Sequence, residues 1–559
     1  MNVFEIFTDA LQRSDKHKAL ISGMGKDRLA VSFKDLDRRV NRVATQLQAQ
    51  GLSPGDRVLL AVPVSIETYT IMLALLKAGL VIMFIDPAHG ARSVSRILRE
   101  WPPAAIVASK SLLLFRYLMP ELRRIPRRLV VGGRSAGAVE LIVANEGNDR
   151  FQPVERSAAD SAMLSFTSGS TGEPKAVVRT HGFLRQQLNI LNRIADVRPD
   201  DIDYVAMPMF VLFNLANGVT SVIPACDMRH PGRANPHLVL NQLLAEKVTR
   251  TVASPALLER LADYCIRYKQ TLETLRCVST GGGPVSPLLP QKLNRVAANA
   301  TVRMVYGSTE AEPIASSADF EVSVTDRQEM RRGVGLLAGK PVEGCDVHII
   351  RSRSGVPILP CTAECFAKLQ QSQNEIGEIV VSGKHVLTSY ADASRNAETK
   401  IEVDGNIWHR TGDAGYFDEA GRLWLVGRCN AAIIDRRGSV YPFQVEYALS
   451  SAAGVRRAAL VGHEQQRVLV LETSGREFRS DCATAAQCIA EHSIDRIVTM
   501  RKIPMDKRHD AKVDYPALLH LLDGRWARIR LDIIETISHF FRAGRSLYRQ
   551  IRGHVRAVF

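Results

Sequence analysis

Short apolar runs alternate with longer amphipathic stretches from the N-terminus to about residue 430. Apolar runs bounded by turn residues predict strands, and apolar positions that recur every three or four residues predict helices. Strands that alternate with helices are typical of βαβ units and a mainly parallel sheet. The predicted strands include Arg57–Val62, Leu80–Ile85, Ala105–Ala108, Leu129–Val131 and Tyr204–Met207, and the predicted helices include Phe33–Gln50, Ile66–Ala78 and Pro236–Glu246.

The pattern changes after Gly405. Short strands joined by turn residues are predicted there, and a compact α+β pattern continues to Leu522. We therefore expect an α/β protein with a large N-terminal domain over residues 1–428, a small mobile α+β domain over residues 429–522 and an appended basic segment over residues 523–559. The later strands are predicted at Asn406–Trp408, Ala414–Phe417, Leu423–Val426, Ala458–Val461 and Arg467–Glu472, and a helix at Cys482–Glu491.

The composition is that of an ordinary globular protein. Of 559 residues, 46% are hydrophobic and 23% are charged, which excludes a disordered or collagen-like chain. Nine cysteines are scattered without zinc-binding spacing, so a reducing compartment is expected. The N-terminus lacks the apolar region of a secretory signal, and the stretch Ile71–Ile85 is too short to cross a bilayer. These features predict a cytoplasmic protein.

Positive charge is concentrated near the C-terminus. The net charge is +15, and residues 523–559 hold eight arginines against three acids. Apolar residues recur there at helical spacing, which predicts an amphipathic helix. That helix would pack on the C-terminal domain, contact another subunit or partner enzyme, or lie peripherally on an anionic membrane. No nucleic-acid-binding module accompanies the charge, so a nucleic-acid partner is not expected. The apolar positions are Trp526, Ile529, Ile533, Ile537, Phe540 and Phe541.

A loop rich in glycine and hydroxyl residues follows the predicted strand Ala162–Phe166. Glycines allow backbone N–H groups to turn inward, hydroxyls add donors, and a lysine adds positive charge, so such a loop can wrap a polyphosphate. It lacks the Gly-Lys-Ser/Thr spacing of a Walker loop. The loop residues are Thr167, Ser168, Gly169, Ser170, Thr171, Gly172 and Lys175.

Together with other motifs in the same order, this loop resembles the adenylate-forming superfamily of acyl- and aryl-CoA synthetases, luciferases and peptide-synthetase adenylation domains. The resemblance covers about residues 30–522 and implies an enzyme that activates a small carboxylic acid with ATP and Mg²⁺. The other motifs are Gly51–Val58, Leu76–Gly79, the adenine-side loop Gly281, Gly282, Gly283 and Pro284, the nucleotide motif Tyr306, Gly307, Ser308, Thr309 and Glu310, the Thr411–Asp413 motif, Gly427–Arg428 and Lys512.

The chemistry of adenylation suggests a role for each polar motif residue. A carboxylate must meet the α-phosphate of ATP, so charge has to be neutralised at the reacting centre. The resemblance implies that Glu310 holds Mg²⁺, that Thr309 faces the α-phosphate and that Lys512 is the catalytic lysine. It also implies that Asp413 binds the ribose hydroxyls and that Arg428 contacts the nucleotide at the joint between domains.

Several positions depart from the ordinary acyl-CoA ligase pattern. The stretch Met207–Asn214 lacks a histidine and is apolar, so Phe210 and Phe213 either line an acyl pocket or pack in the core. The joint carries Asn430, and Ile434–Gly438 lacks the usual lysine. The stretches Pro208–Asn214, Tyr306–Pro313 and Pro504–Lys512 resemble the β-lactone synthetases of bacterial long-chain olefin biosynthesis. Those enzymes activate a 2-alkyl-3-hydroxy fatty acid and close it to a β-lactone.

Two alternatives remain at this point. The enzyme could pass a fatty acyl group to CoA or to a carrier thiol, although CoA is not favoured. A non-catalytic scaffold of the same fold is less favoured, because Lys512, Glu310 and Asp413 are all present.

Overall fold

The computed structural model describes residues 2–12, 17–86, 89–144, 150–168, 174–353, 355–449, 452, 454–473, 490–505 and 513–525. Among these residues, no helix is long and apolar enough to cross a membrane.

Helices cover the faces of the sheets, and α2 shows how the sequence builds them. It begins after Ser32, whose hydroxyl accepts a hydrogen bond from the Asp35 N–H at 3.0 Å. One face of α2 is buried and the other is polar. The helices are α1 (Thr8–Leu11), α2 (Phe33–Ala49), α3 (Ile66–Lys77), α4 (Gly90–Glu100), α5 (Lys110–Leu113), α6 (Pro120–Arg124), α7 (His181–Ile194), α8 (Phe210–Asn217), α9 (Pro236–Ala245), α10 (Pro255–Tyr268), α11 (Leu289–Val296), α12 (Val324–Arg332), α13 (Ala363–Ala367), α14 (Asn396–Thr399), α15 (Pro442–Glu446) and α16 (Tyr515–Arg525).

The strands form two large sheets, one small sheet and a separate hairpin. They are β1 (Lys18–Ser22), β2 (Leu29–Ser32), β3 (Arg57–Ala61), β4 (Val81–Phe84), β5 (Ala105–Ser109), β6 (Arg127–Val131), β7 (Val139–Glu140), β8 (Ser161–Ser168), β9 (Pro174–Thr180), β10 (Ile202–Val205), β11 (Thr220–Val222), β12 (Arg250–Ala253), β13 (Cys277–Gly281), β14 (Thr301–Ser308), β15 (Ala311–Ala318), β16 (Leu336–Pro341), β17 (Asp346–Ile350), β18 (Gly377–Ser382), β19 (Lys400–Val403), β20 (Asn406–Phe417), β21 (Leu423–Arg428), β22 (Ile433–Asp435), β23 (Gly438–Val440), β24 (Val455–His463), β25 (Gln466–Thr473) and β26 (Arg496–Met500).

The first large sheet has seven strands in the order β7-β6-β5-β3-β4-β8-β9. Its neighbouring strands are parallel except β8 and β9, which form an antiparallel hairpin. Parallel neighbours need a crossover connection, and α3 supplies the one between β3 and β4. The predicted βαβ organisation is therefore confirmed in this sheet.

The second large sheet has fourteen strands. Its order is β17-β18-β20-β21-β16-β15-β14-β13-β12-β10-β11-β1-β2, with β19 paired to β20. The strands from β14 through β13, β12, β10 and β11 to β1 are parallel neighbours, whereas those from β14 to β17 are antiparallel. The carboxyl ends of β13 and β14 therefore lie side by side at one edge.

One sequence expectation about this sheet is wrong. Two strands were expected at Asn406–Trp408 and Ala414–Phe417, but β20 runs without a break from Asn406 to Phe417. The intervening Gly412 has φ of 71°, which bends the strand without ending it. Pairing with β18, β19 and β21 keeps both halves extended.

The C-terminal part has its own sheet, β24-β25-β26, and the hairpin β22-β23. Leu460 of β24 and Leu469 of β25 pack against Val445 and Leu449 in one buried cluster. The predicted strands at 458–461 and 467–472 are confirmed within β24 and β25. Apart from residues 490 and 491, the helix predicted at Cys482–Glu491 lies outside the described residues, as does the helix predicted from Trp526 onward.

Candidate functional site

The hairpin β8-β9 carries the predicted phosphate loop. Thr167 pairs with Lys175 across this hairpin, and Ser168 pairs with Pro174. The loop residues between them, Gly169, Ser170, Thr171 and Gly172, lie outside the described residues. Lys175 Nζ lies 5.2 Å from the centroid of the Tyr390 ring. Burial lowers the pKa of Lys175, and the nearby Glu310 carboxyl opposes this shift.

Glu310 is held by contacts on its side chain and its backbone. The Tyr390 hydroxyl donates a hydrogen bond to Glu310 Oε1 at 2.7 Å. The Glu310 N–H donates to Ser308 Oγ at 3.3 Å, and the Glu310 carbonyl accepts from the Leu387 N–H at 2.7 Å. Burial alone would raise the pKa of this carboxyl, but His409, the Tyr390 hydroxyl and neighbouring positive charge hold it below its ordinary value. These contacts therefore favour the ionised form of the Glu310 carboxyl.

Lys400 and His409 complete the surroundings of Glu310, and the sequence did not single out either of them. Lys400 Nζ donates to the Leu387 carbonyl and lies 3.1 Å from His409 Nδ1. The two residues are partners across β19 and β20. Burial lowers the pKa of Lys400 to about 7 and that of His409 to about 3.

Asp413 connects two other predicted nucleotide residues. The Tyr306 hydroxyl donates to Asp413 Oδ2 at 2.8 Å, and Arg428 Nε lies 3.0 Å from Asp413 Oδ1. Arg428 also donates through Nη1 to the Thr411 carbonyl at 3.1 Å. Asp413 of β20 and Arg428 of β21 are directly paired. The Asp413 carboxylate raises the pKa of Arg428, and each carboxylate oxygen keeps a lone pair for a ligand hydroxyl.

The predicted glycine motifs lie where β13 and β14 end. A Cβ atom on Gly281 would lie 2.4 Å from the Val305 carbonyl oxygen, and one on Gly307 would lie 2.9 Å from the Ala311 carbonyl oxygen. Both glycines therefore permit close approach of neighbouring strands. Gly282, Gly283 and Pro284 follow at the same edge of the sheet, and Gly282 has φ of 74°.

Thr309 follows β14 and is anchored through its backbone. Its carbonyl accepts a hydrogen bond from Arg179 Nη2 at 3.3 Å, and Arg179 Nη1 donates to Ser165 Oγ at 2.9 Å. Ser165 belongs to β8, just before the phosphate loop. Arg179 therefore connects the loop hairpin to the turn that contains Thr309 and Glu310.

A pocket opens beside the glycine motifs, with about 620 Å³ of empty space that includes the open solvent at its mouth. Its wall is mostly apolar and contains both Phe210 and Phe213. Phe213 is also 3% exposed, so it belongs to the core as well as to the pocket wall. The lining residues are Leu191, Ile194, Ala195, Met207, Phe210, Phe213, Arg250, Val252, Ser279, Thr280, Gly281, Gly282, Arg303, Val305, Gly307 and Glu312.

Three charged residues line this otherwise apolar pocket. Arg250 is paired with Asp201 at 3.7 Å and Asp203 at 3.6 Å. The side chains of Arg303 and Glu312 have no hydrogen bond or ion pair with the parts of the chain that the structure describes. Burial raises the pKa of Glu312, while the charge of Arg179 opposes the shift.

The fit to Mg²⁺ depends on Glu310. Within the described ranges, no group of three or more His, Cys, Asp or Glu side chains could hold a metal ion. Mg²⁺ binds through one or two carboxylates together with substrate phosphates, so a single ionised carboxylate fits such a site. Lys512, the predicted catalytic residue, lies outside the described residues.

Comparison with known proteins identifies the family. Residues 7–391 match the family model described as AMP-binding enzyme. The olefin β-lactone synthetase of Xanthomonas campestris pv. campestris is 33% identical over 88% of this chain and 91% of its own length. A feruloyl-CoA synthase of an Amycolatopsis species is 28% identical over 78% of this chain and 80% of its own length.

A solved structure shows the same fold. The amide bond synthetase from Marinactinospora thermotolerans superposes with a TM-score of 0.76 at 22% identity, covering 93% of this chain and 99% of its own. The α/β fold class and the adenylate-forming resemblance expected from the sequence are confirmed. The chain therefore belongs to the AMP-binding enzyme family and is an adenylate-forming enzyme that uses ATP and a small carboxylic acid.

Proposed function

We propose that this enzyme joins a fatty or 3-hydroxy fatty acid to AMP and releases pyrophosphate, and that the acyl-AMP then closes to a β-lactone. One observation carries the first step. Gly281, Gly282 and Gly307 belong to the predicted nucleotide motifs and also line the apolar pocket. An acid bound in that pocket would have its carboxylate next to a nucleotide bound at the same edge of the sheet, as in-line reaction requires.

The nucleotide would be held at both of its ends. Asp413 would accept hydrogen bonds from the ribose hydroxyls, while Arg428 and Tyr306 hold its carboxylate in place. Lys175, Thr309 and the loop residues 167–172 would contact the phosphates, and the loop of Gly283 and Pro284 would lie beside the adenine.

Adenylation needs positive charge around the phosphates. The carboxylate oxygen attacks the α-phosphorus, and the bond from that phosphorus to the pyrophosphate oxygen breaks. Glu310 would hold Mg²⁺, which supplies charge stabilisation for the phosphates when it is bound. Tyr390 keeps the Glu310 carboxylate oriented, and Lys175 provides a second positive charge. Lys512 would neutralise the attacking carboxylate.

The second step needs no external nucleophile. The 3-hydroxyl oxygen of the acid attacks the acyl carbon, the bond from that carbon to the AMP oxygen breaks, and the hydroxyl proton passes to solvent. Intramolecular attack has an effective molarity on the order of 10⁵ M or more when the groups are well oriented. The similarity to an olefin β-lactone synthetase over most of the chain supports this step.

Transfer to CoA or a carrier thiol is the alternative, and the similarity to a feruloyl-CoA synthase supports it. The deciding experiment supplies ATP, Mg²⁺ and a panel of straight-chain, 3-hydroxy and 2-alkyl-3-hydroxy acids, with and without CoA. We expect pyrophosphate, AMP and a β-lactone from the 2-alkyl-3-hydroxy acid, unaffected by CoA. Acyl-CoA as the main product, with no lactone from any 3-hydroxy acid, would assign the enzyme to the ligases.

The C-terminal region would complete the site. We propose that residues 429–522 form a mobile domain that brings Lys512 to the acyl carboxylate, and that the segment 523–559 packs on this domain or lies on an anionic membrane surface. Arg428 is the last residue before this region and contacts Asp413. A rotation of the domain about residue 429 would therefore change the contacts at the proposed ribose site. Sedimentation of the full chain with anionic vesicles tests the membrane contact, and protein that never sediments at low salt would exclude it.

A further inference from the structure

Glu312 is an acidic side chain in the wall of the apolar pocket, and no described residue pairs with it. Buried polar groups in folded proteins nearly always have hydrogen-bond partners. Arg250, in the same wall, forms ion pairs with Asp201 and Asp203, and its Nη1 donates a hydrogen bond to the Asp196 carbonyl. Glu312 has no hydrogen bond or ion pair within the described part of the chain. A carboxyl that faces a pocket without a protein partner is available to a polar group on a ligand.

The backbone places Glu312 at the end of the pocket nearest the nucleotide motifs. A Cβ atom on Gly307 would lie 3.2 Å from the Glu312 Cα atom, so no side chain separates Glu312 from the end of β14. Two residues beyond Gly307 is Thr309, whose carbonyl is hydrogen-bonded to Arg179. Arg179 is also the charged group whose field acts on the Glu312 carboxyl. Glu312 is therefore near the proposed α-phosphate contact.

The position of Glu312 limits which part of the acid it can contact. The acid's carboxylate must reach the α-phosphate, so the next carbons lie at the same end of the pocket. A hydroxyl on the third carbon is two carbon–carbon bonds from the carboxylate carbon. Glu312 is partly buried, and a plain hydrocarbon chain at that point would cover its carboxyl without giving it a partner, which is unfavourable.

We propose that Glu312 is the specificity-determining residue that hydrogen-bonds the 3-hydroxyl group of the acid. This inference rests on the proposed function and names the residue that would distinguish a 3-hydroxy acid from its deoxy analogue. The bond also keeps the hydroxyl close to the acyl carbon that it attacks during ring closure. A site that hydrogen-bonds a substrate hydroxyl discriminates strongly against an analogue that lacks it.

The test compares a 2-alkyl-3-hydroxy acid with the same acid lacking the 3-hydroxyl. Pyrophosphate formation is measured in single turnovers with enzyme in excess and no CoA, so the result does not depend on the second step. Wild-type enzyme should adenylate the hydroxy acid about tenfold or more faster at subsaturating acid. Glu312→Leu and Glu312→Ala should lose this preference, whereas Glu312→Gln should retain most of it.

Arg303→Met is the matched control. Arg303 lines the same pocket, lacks a partner among the described residues and lies on β14 four residues before Gly307. Four residue steps along an extended strand separate Arg303 from Gly307, so removing Arg303 should leave the preference for the 3-hydroxyl unchanged. Melting curves establish that each variant is folded, and Glu312→Ala serves if Glu312→Leu does not fold.

The inference is overturned if wild-type enzyme shows no preference, or if the folded Glu312→Leu and Glu312→Ala variants keep it. Mass spectrometry of the products tests the proposed β-lactone formation separately. A preference for the 3-hydroxy acid without any lactone product would exclude ring closure but still support recognition of the hydroxyl by Glu312. Lactone formation together with an unchanged preference in the Glu312 variants would support ring closure and exclude hydroxyl recognition by Glu312.

Discussion

The Tyr390 hydroxyl lies 2.7 Å from Glu310 Oε1 and donates a hydrogen bond to it across a separation of 80 residues. The Tyr390 ring also lies near two ammonium groups, with Lys175 Nζ at 5.2 Å and Lys400 Nζ at 5.4 Å from the ring centroid. A cation near an aromatic face is attracted to it. One tyrosine therefore orients the carboxylate and contacts both lysines that surround it.

Tyr390→Phe should lower the rate of acyl-AMP formation by about tenfold to a hundredfold, the usual effect of losing a partner that orients a metal ligand. The ring and its contacts with the lysines remain, but the Glu310 carboxylate loses its donor. The measurement is pyrophosphate release over a range of Mg²⁺ concentrations. Part of the lost rate should return at high Mg²⁺ if orientation of the carboxylate is what the variant loses.

Tyr264→Phe is the matched control for that prediction. Tyr264 lies on α10, where its ring contacts Tyr268, and α10 contains no predicted nucleotide residue. This variant should adenylate at the wild-type rate. If Tyr390→Phe stays within twofold of wild type at every Mg²⁺ concentration, the hydroxyl of Tyr390 has no role in metal binding.

The environment of Glu310 shows what the sequence could predict. Glu310, Tyr306 and Asp413 stand in motifs whose order is visible along the chain, so they were identified from the sequence. Lys400 and His409 were not identified, because they meet only through the pairing of β19 with β20. A lysine in the short segment Lys400–Val403 gives no sign that it is buried beside a carboxylate.

The same limit applies to the pocket. Phe210 and Phe213 were candidates because aromatic residues cluster in an apolar stretch. Glu312 and Arg303 were not candidates, because their place in the pocket wall depends on which strands face the pocket. The parallel core was predictable because each buried strand is followed by a helical pattern. The sequence did not predict that β20 continues through Gly412, because a Thr-Gly-Asp sequence is typical of a turn.

Asp413→Asn should raise the KM for ATP by about tenfold and leave the KM for the acid almost unchanged, because hydrogen bonds to charged groups contribute about 1.5–3 kcal/mol. Asp418→Asn is the matched control on the same stretch of chain. Asp418 is bonded to Arg422 and Trp424, so its loss should lower stability without changing the KM for ATP. A rise confined to the KM for the acid in Asp413→Asn would contradict the ribose assignment.

Variants of Phe210 and Phe213 should distinguish residues that stabilise the core from residues that contact the acyl chain. Phe213 is 3% exposed, so Phe213→Ala should lower the free energy of unfolding by about 3–5 kcal/mol. Phe210 is only partly buried, so Phe210→Ala should cost less stability and change the preferred acyl chain length instead. Urea denaturation and a chain-length series measure the two effects. Equal stability losses with unchanged chain-length preference would show that both rings serve only the core.

The C-terminal part contains a buried carboxyl whose protonation should be visible in stability. Glu446 of α15 accepts hydrogen bonds through Oε1 from the Leu460 N–H at 3.0 Å and the Tyr515 hydroxyl at 2.8 Å. Burial nevertheless raises its pKa from the ordinary 4.5 to about 7. The folded state therefore binds more protons than the unfolded state between these two values.

Because of that difference, the contribution of Glu446 to stability is complete below about pH 4.5 and is lost as the pH rises through about 7. The pKa difference corresponds to a loss of about 3 kcal/mol. His409 has the opposite effect on stability, because burial lowers its pKa to about 3. The pH dependence of wild-type protein is therefore compared with that of a Glu446 variant. Urea denaturation should show wild-type protein losing about 3 kcal/mol more than Glu446→Gln between pH 4.5 and 8. Parallel pH dependences for the two proteins would mean that the Glu446 carboxyl titrates at its ordinary value in the folded state.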